Sequence, residues 1–80
     1  MTVLYHEATF TEQHRELAKA TMHSTAKQAA EIARQANVSR LYLGHLSARY
    51  ADGKQHEEEA KEVFSDTIYV EDGMSFLVEN

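Results

Sequence analysis

Cysteine and proline are absent from this 80-residue chain, and glycine occurs only three times. Without cysteine the chain can form neither a disulfide nor a thiolate metal site, which fits a reducing compartment and predicts cytoplasmic localisation. No apolar run approaches the roughly 20 residues that span a bilayer, and the N-terminus lacks a signal-peptide pattern. Nothing in the composition marks an interdomain linker. We therefore expect one domain, residues 1–80, with no membrane partner.

Basic residues are also scarce. Eight Lys and Arg stand against thirteen Asp and Glu, which gives a formal net charge of −5. This balance argues against a free-standing nucleic-acid binder, because such proteins neutralise phosphates with Lys and Arg. It leaves open a segment that supplies chemistry to a larger protein. The hydrophobic fraction of 42% is sufficient for a globular core.

The hydrophobic pattern predicts an α/β fold with about four strands and two helices. Strands are predicted over residues 2–6, 40–47, 67–70 and 74–78. Helices are predicted from Thr25 to Asn37 and over 54–64, whereas residues 11–22 fit either a loop or a short irregular helix. Alternation of strands and helices implies parallel pairing. Helices are therefore expected to cover both faces of the second strand.

Local signals support both long helices. Thr25 and Gln28 have the spacing of a capping box, and Asp52 and Gln55 repeat that spacing before the second helix. An alanine-rich stripe that includes Ile32 is expected to lie close to the sheet. Glutamates 57–59 are interpreted as a solvated helix start, and Asp72-Gly73 is typical of a hairpin turn.

Three of the five histidines lie at the ends of predicted elements: His6, His23 and His45. Ligands usually bind beyond the carboxyl ends of parallel strands, so these rings are expected to share one crevice. Zinc favours imidazole ligands, and a nearby carboxylate commonly orients them. His14 and His56 lie in polar stretches and are interpreted as solvent-exposed bystanders. The residues alone predict an α/β piece with a candidate histidine-centred site.

Three segments then resemble one family. They are His6-Glu7-Ala8-Thr9 (the HEAT segment), His23-Ser24-Thr25 (the HST segment) and Gly44-His45-Leu46-Ser47-Ala48-Arg49-Tyr50. In this order they resemble the C-terminal part of ribonuclease Z, a tRNA 3′-processing endonuclease family of the metallo-β-lactamase superfamily. The resemblance extends over nearly the whole chain and implies a partial metallo-β-lactamase-type αβ layer.

The resemblance also implies site roles and a cofactor. Enzymes of this family use two zinc ions that activate a bridging water. His45 matches a metal ligand, His6 matches the proton donor to the leaving 3′ oxygen, and Glu7 matches the carboxylate that orients it. The HST segment, His23, Ser24 and Thr25, matches a supporting loop. Arg49 is expected to bind a substrate phosphate, by analogy and by guanidinium geometry.

Much of the family's pattern is missing from this chain. The HxHxDH signature, a further histidine ligand, the bridging aspartate and the tRNA-binding arm all lie upstream in the parent enzyme. We therefore expect a truncated segment that is inactive alone and needs the missing N-terminal part. The resemblance implies precursor tRNA as substrate and a homodimer for the full-length enzyme.

Two alternatives stay open. One is a non-catalytic α/β interaction module whose histidines are structural or bind a lone metal adventitiously. The other is a metallo-β-lactamase-type hydrolase that acts on a different phosphodiester. The HEAT and HST segments argue against the second, since they distinguish ribonuclease Z from its relatives.

Overall fold

A three-stranded parallel sheet forms the framework of the chain, described by a computed structural model over residues 2–47 and 49–70. Strand β1 spans Val3–Glu7, β2 spans Arg40–Gly44 and β3 spans Thr67–Tyr69, in the spatial order β1-β2-β3. The register pairs Glu7 with Gly44 at the carboxyl ends of β1 and β2. The predicted α/β class and the parallel pairing are confirmed, and the arrangement is consistent with part of a metallo-β-lactamase-type fold.

Helices connect the strands. A 3-10 turn, Glu12–His14, leads into α1, Arg15–Ala20; α2 spans Ala26–Ala36 and α3 spans Lys54–Lys61. The described residues therefore contain three α-helices rather than two, because residues 11–22 form a 3-10 turn and a short helix. The predicted strand 74–78 and the turn at 72–73 lie outside the described residues.

Helix α2 begins and ends where its local signals predict. The Thr25 hydroxyl accepts the N–H of Gln28 at 3.2 Å, and the Gln28 side chain accepts the N–H of Thr25 at 2.9 Å. At the other end Asn37 has φ 57°, a left-handed conformation that asparagine tolerates. The capping box and the helix stop are both confirmed.

Small side chains bring α2 and α3 close to one face of the sheet. The buried core contains Leu41 and Leu43 of β2 together with Ala8, Ala26, Ala29, Ala30, Ala33 and Ala60. Helices α2 and α3 pack against each other as well as against the strands, so they share one face. Ile32 was expected in this stripe, but its side chain points outward and is 44% exposed.

The opposite face of the sheet carries an apolar row. Tyr5, Tyr42 and Ile68 are aligned across the three strands by the register. Tyr5 is 46% exposed and Ile68 is 38% exposed. The prediction that helices cover both faces of β2 is therefore wrong for the part of the chain that the structure describes. Over the same residues no helix has the length and apolar character needed to cross a membrane.

The start of α3 differs from its prediction. Its N-cap is Gly53, and the carboxylate of Asp52 instead accepts the N–H of Lys54 at 3.0 Å. The Tyr69 ring lies against Gly53, where an added Cβ would approach ring carbons to 2.3 Å. Close packing of this ring requires a glycine at that position.

Two of the three glutamates at 57–59 are not simply solvated. Glu57 accepts the N–H of Tyr69 at 2.9 Å, and Glu59 accepts the N–H groups of Glu12 and Lys27, each at 2.9 Å. Their side chains connect α3 to other segments of the fold. The interpretation of all three as a solvated helix start is therefore corrected.

Candidate functional site

The carboxyl ends of β1 and β2 bring together the groups of the candidate site. Glu7 ends β1 and His45 follows β2, while His23 approaches from the loop before α2. Ligand-type atoms of Glu7, His23 and His45 lie within 4.8 Å of one another. Two of the three rings expected at this sheet edge, His23 and His45, lie together there with the Glu7 carboxylate.

His45 turns the chain sharply at the end of β2. Its φ of 62° is left-handed, which costs an L-residue about 1–2 kcal/mol, and it ends the strand at Gly44 rather than at Ser47 as predicted. The turn brings the ring Nδ1 to 2.8 Å from the Thr9 hydroxyl. Strain of this kind persists where surrounding contacts fix the residue, and it concentrates at functional positions.

His23 is positioned by the end of α1. Met22 has φ 61°, the N–H of Met22 donates to Lys19 O, and the N–H of His23 donates to Ala18 O at 2.8 Å. This pair of bonds is a Schellman motif, and it fixes the backbone of His23. The ring Nδ1 then lies 3.4 Å from the Thr9 hydroxyl, and the rings of His23 and His45 are 5.4 Å apart.

The Glu7 carboxylate is held by protein donors on both oxygens. Oε1 accepts the N–H of Ser24 at 2.7 Å, and Oε2 accepts the N–H and hydroxyl of Thr9 at 3.2 and 2.8 Å. Burial raises the pKa of Glu7, but the hydrogen bonds from Thr9 and Ser24 outweigh it and lower the pKa below its ordinary value. The carboxylate is therefore ionised at neutral pH.

The position of the Thr9 hydroxyl proton determines which ring nitrogen of His45 carries a proton. Thr9 has one hydroxyl proton, which it donates to Glu7, so the close Nδ1 of His45 must donate its own proton to the Thr9 oxygen. The lone pair of His45 then lies on Nε2. His23 Nδ1, near oxygens of Thr9 and Glu7, favours the same tautomer.

In this arrangement His45 fits the role of a single zinc ligand through its Nε2. Metal-binding histidines typically donate the second ring N–H to an oxygen that orients them, as His45 does towards Thr9 and, through it, Glu7. Glu7 fits an orienting role better than a ligand role, since both of its oxygens already accept protein hydrogen bonds. Because zinc takes four ligands, these residues provide only part of a site.

His6 is not brought into this group. Its ring Nδ1 donates to the carbonyl oxygen of Glu7 at 2.7 Å, and its side chain lies on the opposite face of β1 from the Glu7 carboxylate. Among residues 2–47 and 49–70, no contact joins His6 to His23 or His45. The backbone of Glu7, rather than its carboxylate, therefore orients His6.

The HST segment supports the site through its backbone and its cap. Ser24 donates its N–H to Glu7, while Thr25 is fully buried and donates its hydroxyl to Glu12 at 2.6 Å. The carbonyl of Ser24 accepts the N–H of Phe10, and Thr25 forms a bridge with Phe10. These contacts tie the loop before α2 to the chain that leaves β1.

Arg49 lies outside the Glu7, His23 and His45 group. It is exposed and lines a separate cavity of about 270 Å³ together with Gln13, His14, Tyr50, Ala51, Asp52 and Gln55. Arg49 therefore does not line a common cavity with Glu7, His23 and His45.

The interpretation of His56 as an exposed bystander is wrong. Its side chain is fully buried, its ring packs edge-on against Tyr50 at 4.5 Å, and neither ring nitrogen makes a well-formed hydrogen bond. Burial lowers the pKa of His56, with the Thr9 backbone and Asp52 opposing that shift. The signal was present in the sequence, because His56 lies one helical turn before the core residue Ala60.

His14 is also engaged rather than simply solvated. Its Nδ1 lies 2.6 Å from the hydroxyl of Tyr50, which accepts the N–H of Thr11 at 3.0 Å. No motif reasoning assigned a role to Thr9 or Tyr50. Thr9 was recognisable only as part of the HEAT segment, since its contacts with the two imidazoles span 14 positions to His23 and 36 positions to His45.

The parallel sheet with its helices on one face is consistent with part of an α/β fold of the metallo-β-lactamase type. Glu7, His23 and His45 at the strand ends form a candidate metal-binding group. No protein-family model matches the chain. Curated relatives do match it. It is 57% identical to a ribonuclease Z of Porphyromonas gingivalis over 72 residues, which is 90% of this chain and 24% of the relative.

Two further relatives agree. The chain is 56% identical to a ribonuclease Z of Salinibacter ruber, covering 78% of the chain and 19% of the relative. It is 51% identical to one of Archaeoglobus fulgidus, covering 95% of the chain and 25% of the relative. The chain thus spans about a quarter of the length of these relatives. It is homologous to the C-terminal quarter of ribonuclease Z, which confirms the predicted resemblance.

Proposed function

We propose that this chain is the C-terminal segment of a zinc-dependent endoribonuclease that removes 3′ trailers from precursor tRNA. The observation that supports it most directly is the Glu7–Thr9–His45 hydrogen-bond chain within the region homologous to ribonuclease Z. These hydrogen bonds leave Nε2 of His45 facing outward, in the tautomer that a metal requires.

His45 is the zinc ligand that this segment contributes. Zinc, when bound, supplies a Lewis acid and a water of lowered pKa for attack on a phosphodiester. Thr9 and Glu7 hold the His45 ring, and His23 lies beside it with the same Nδ1 orientation. The remaining ligands come from the part of the protein that precedes this segment in its relatives.

His6 is the proposed proton donor to the leaving 3′ oxygen. Its Nδ1 is occupied by the carbonyl of Glu7 at 2.7 Å, so Nε2 is the nitrogen that can deliver a proton. An imidazole can hold and release a proton at physiological pH. Glu7 supports this role through its backbone, while Ser24 and Thr25 keep the adjoining loop in place. Arg49 contributes a guanidinium for a substrate phosphate.

The N-terminal part of the same protein is the proposed partner of the sheet face that no helix covers among residues 2–47 and 49–70. Tyr5, Tyr42 and Ile68 form an apolar row there. In layered folds such a face is buried by packing against another layer. We further propose a homodimer of the full-length protein and a cytoplasmic location, where precursor tRNA would be met. The isolated chain, with one primary metal ligand, is proposed to be inactive.

A complementation experiment tests this function. Zinc affinity and cleavage of precursor tRNA are measured for the chain alone, for the N-terminal three quarters of the Porphyromonas gingivalis relative alone, and for the two together. We expect weak zinc binding and no cleavage by either part, with tight stoichiometric binding and cleavage at the tRNA 3′ end by the mixture.

The matched control is His45→Asn, because asparagine tolerates the left-handed backbone but removes the imidazole. It should fold normally and lose the gain in zinc affinity on mixing. Zinc-dependent cleavage by the chain alone would contradict the incomplete site. No change on mixing would favour the interaction module.

A further inference from the structure

The Glu59 carboxylate of α3 joins two segments that are remote from it in sequence. Oε1 accepts the N–H of Glu12 and Oε2 accepts the N–H of Lys27, both at 2.9 Å. Both donors lie in the first turn of a helix, where N–H groups have no partner within the helix. An ionised carboxylate suits such donors, since the bonds are charge-assisted and helix N-termini favour negative charge.

These two segments carry the candidate site. Glu12 follows Thr9 by three residues, and Lys27 follows His23 by four. Thr9 and His23 lie 3.4 Å apart between oxygen and Nδ1, so their distance depends on how the two segments are held. A change at the helix starts is therefore expected to reach Thr9 and His23 over only three and four residues of chain.

Hydrogen bonds also join the two segments directly. The N–H of Ala26 donates to Phe10 O at 2.9 Å, and the N–H of Phe10 donates to Ser24 O at 3.3 Å. The hydroxyl of Thr25 adds a bond to the Glu12 carboxylate at 2.6 Å. The two segments thus lie side by side. At the ends that lie away from the site, Glu59 accepts one N–H group from each segment.

We propose that Glu59 is a positioning residue for the candidate metal site: its carboxylate holds the two helix starts and thereby sets the separation of Thr9 and His23. This proposal rests on the proposed function in one respect, which is that zinc is the metal bound at the site. The positional effect on Thr9 and His23 is independent of any metal.

A neutral amide would serve this role poorly. Glu59→Gln retains one oxygen acceptor, and its NH2 group must face the other backbone N–H. Burial raises the pKa of Glu59, the N–H groups of Glu12 and Lys27 lower it, and the carboxylates of Glu12 and Glu62 raise it further. The net shift of the Glu59 pKa is upward, because burial outweighs the two N–H groups. The positioning role therefore rests on the two hydrogen bonds themselves, and the glutamine side chain cannot accept both of them.

Glu57 provides a matched control on the same helix. Its carboxylate also accepts a backbone N–H at 2.9 Å, but the donor is Tyr69 of β3. A second bond joins it to Lys61 at 3.0 Å. Glu57→Gln therefore removes a similar interaction from α3 without touching either segment of the site.

The experiment compares the 80-residue chain with its Glu59→Gln and Glu57→Gln variants by ¹⁵N NMR of the histidine rings, without metal and during titration with zinc alone. We expect Glu59→Gln to shift the ring signals of His23 and His45 and to weaken zinc binding about tenfold. Glu57→Gln should leave both unchanged, even if both variants melt at similarly lowered temperatures.

Unchanged ring signals in Glu59→Gln, or equal shifts in both variants, would overturn the proposal. If Glu59→Gln does not fold, Glu59→Asp, whose shorter side chain cannot reach both amides, is compared in its place with the same expected outcomes. The ring shifts in Glu59→Gln test the positioning role by themselves, whereas failure to bind zinc even after mixing with the N-terminal part of the relative would count against the proposed function.

Discussion

The Thr9 hydroxyl connects the acidic and imidazole parts of the site. It donates to Glu7 at 2.8 Å and accepts from His45 at 2.8 Å, while its N–H also donates to Glu7. A single hydroxyl thereby connects a carboxylate that backbone N–H groups hold at the end of β1 to the ring of His45, which directly follows β2. Valine has almost the same shape as threonine but neither donates nor accepts, so it isolates this effect.

Thr9→Val should weaken zinc binding by the complemented protein about 10–100-fold, because the Nδ1–H of His45 loses its acceptor and the ring loses its preferred tautomer. The measurement is a competitive zinc titration of the variant mixed with the N-terminal part of the relative. Thr67→Val is the control, since Thr67 is also buried and its hydroxyl donates to Phe64 O, away from the site. Equal affinities for the two variants would contradict the role of Thr9.

Helix α1 matters at the scale of the element because of how it ends. Six residues are too few for a helix to be stable by itself, so α1 depends on its surroundings. Its Schellman motif places His23, and the residue in the left-handed position is Met22, whose side chain is 92% exposed. Helix α2 has the same kind of end with Asn37, which accepts that conformation more readily.

Met22→Gly should therefore stabilise the chain by about 0.5–1 kcal/mol, because relief of the left-handed strain exceeds the backbone entropy that glycine adds. In a domain of this size that is a rise in melting temperature of about 2–8 °C. Thermal unfolding followed by circular dichroism checks it. Met22→Ala keeps the Cβ and should give no gain; an equal gain from alanine would show that strain is not the cause.

The ends of the three helices show what the sequence can predict. The start and end of α2 were predicted from Thr25, Gln28 and Asn37 because these signals act within one turn of chain. Helix α1 had no such signals of its own, and α3 lacked the capping box expected at Asp52. Its true start depends on Gly53 fitting beneath the Tyr69 ring, a contact between residues sixteen positions apart.

The site was predictable in its location but not in its internal arrangement. Parallel strands placed Glu7 and His45 at one edge, as the alternation of elements indicated. The two-residue period of a strand separated the side chains of His6 and Glu7. Which oxygen each ring nitrogen faces depends on the left-handed turn at His45, and no local pattern in the sequence predicts that turn.

At the scale of the whole molecule, α3 secures the fold through carboxylates that accept backbone N–H groups. Glu57 holds β3, and Glu59 holds the starts of the 3-10 turn and α2. For a chain of net charge −5, this places two of its negative charges where backbone donors stabilise them. Their pKa values nevertheless shift in opposite directions, so their contributions to stability should respond oppositely to pH.

The N–H of Tyr69 lowers the pKa of Glu57; burial opposes this shift, and the ammonium of Lys61 adds to it. Its contribution to stability is thus complete above the unfolded-state pKa and is lost as pH falls through the lower folded-state pKa. Burial raises the pKa of Glu59, which makes the folded state bind its proton more tightly. Its contribution therefore decreases as pH rises from the unfolded-state pKa through the folded-state pKa.

Urea unfolding of the wild type, Glu57→Gln and Glu59→Gln at several pH values between about 3 and 7 tests these opposite signs. The free energy of unfolding of the wild type minus that of Glu57→Gln should increase with pH, by less than about 1 kcal/mol, because the Glu57 side chain is 32% exposed to solvent. The same difference for Glu59→Gln should decrease with pH. Glu59 of the wild type has a raised pKa in the folded state, whereas the glutamine of the variant does not titrate. Differences that change in the same direction would contradict the assignment of the two carboxylates, and a flat profile for Glu59→Gln would mean that its burial does not penalise the charge.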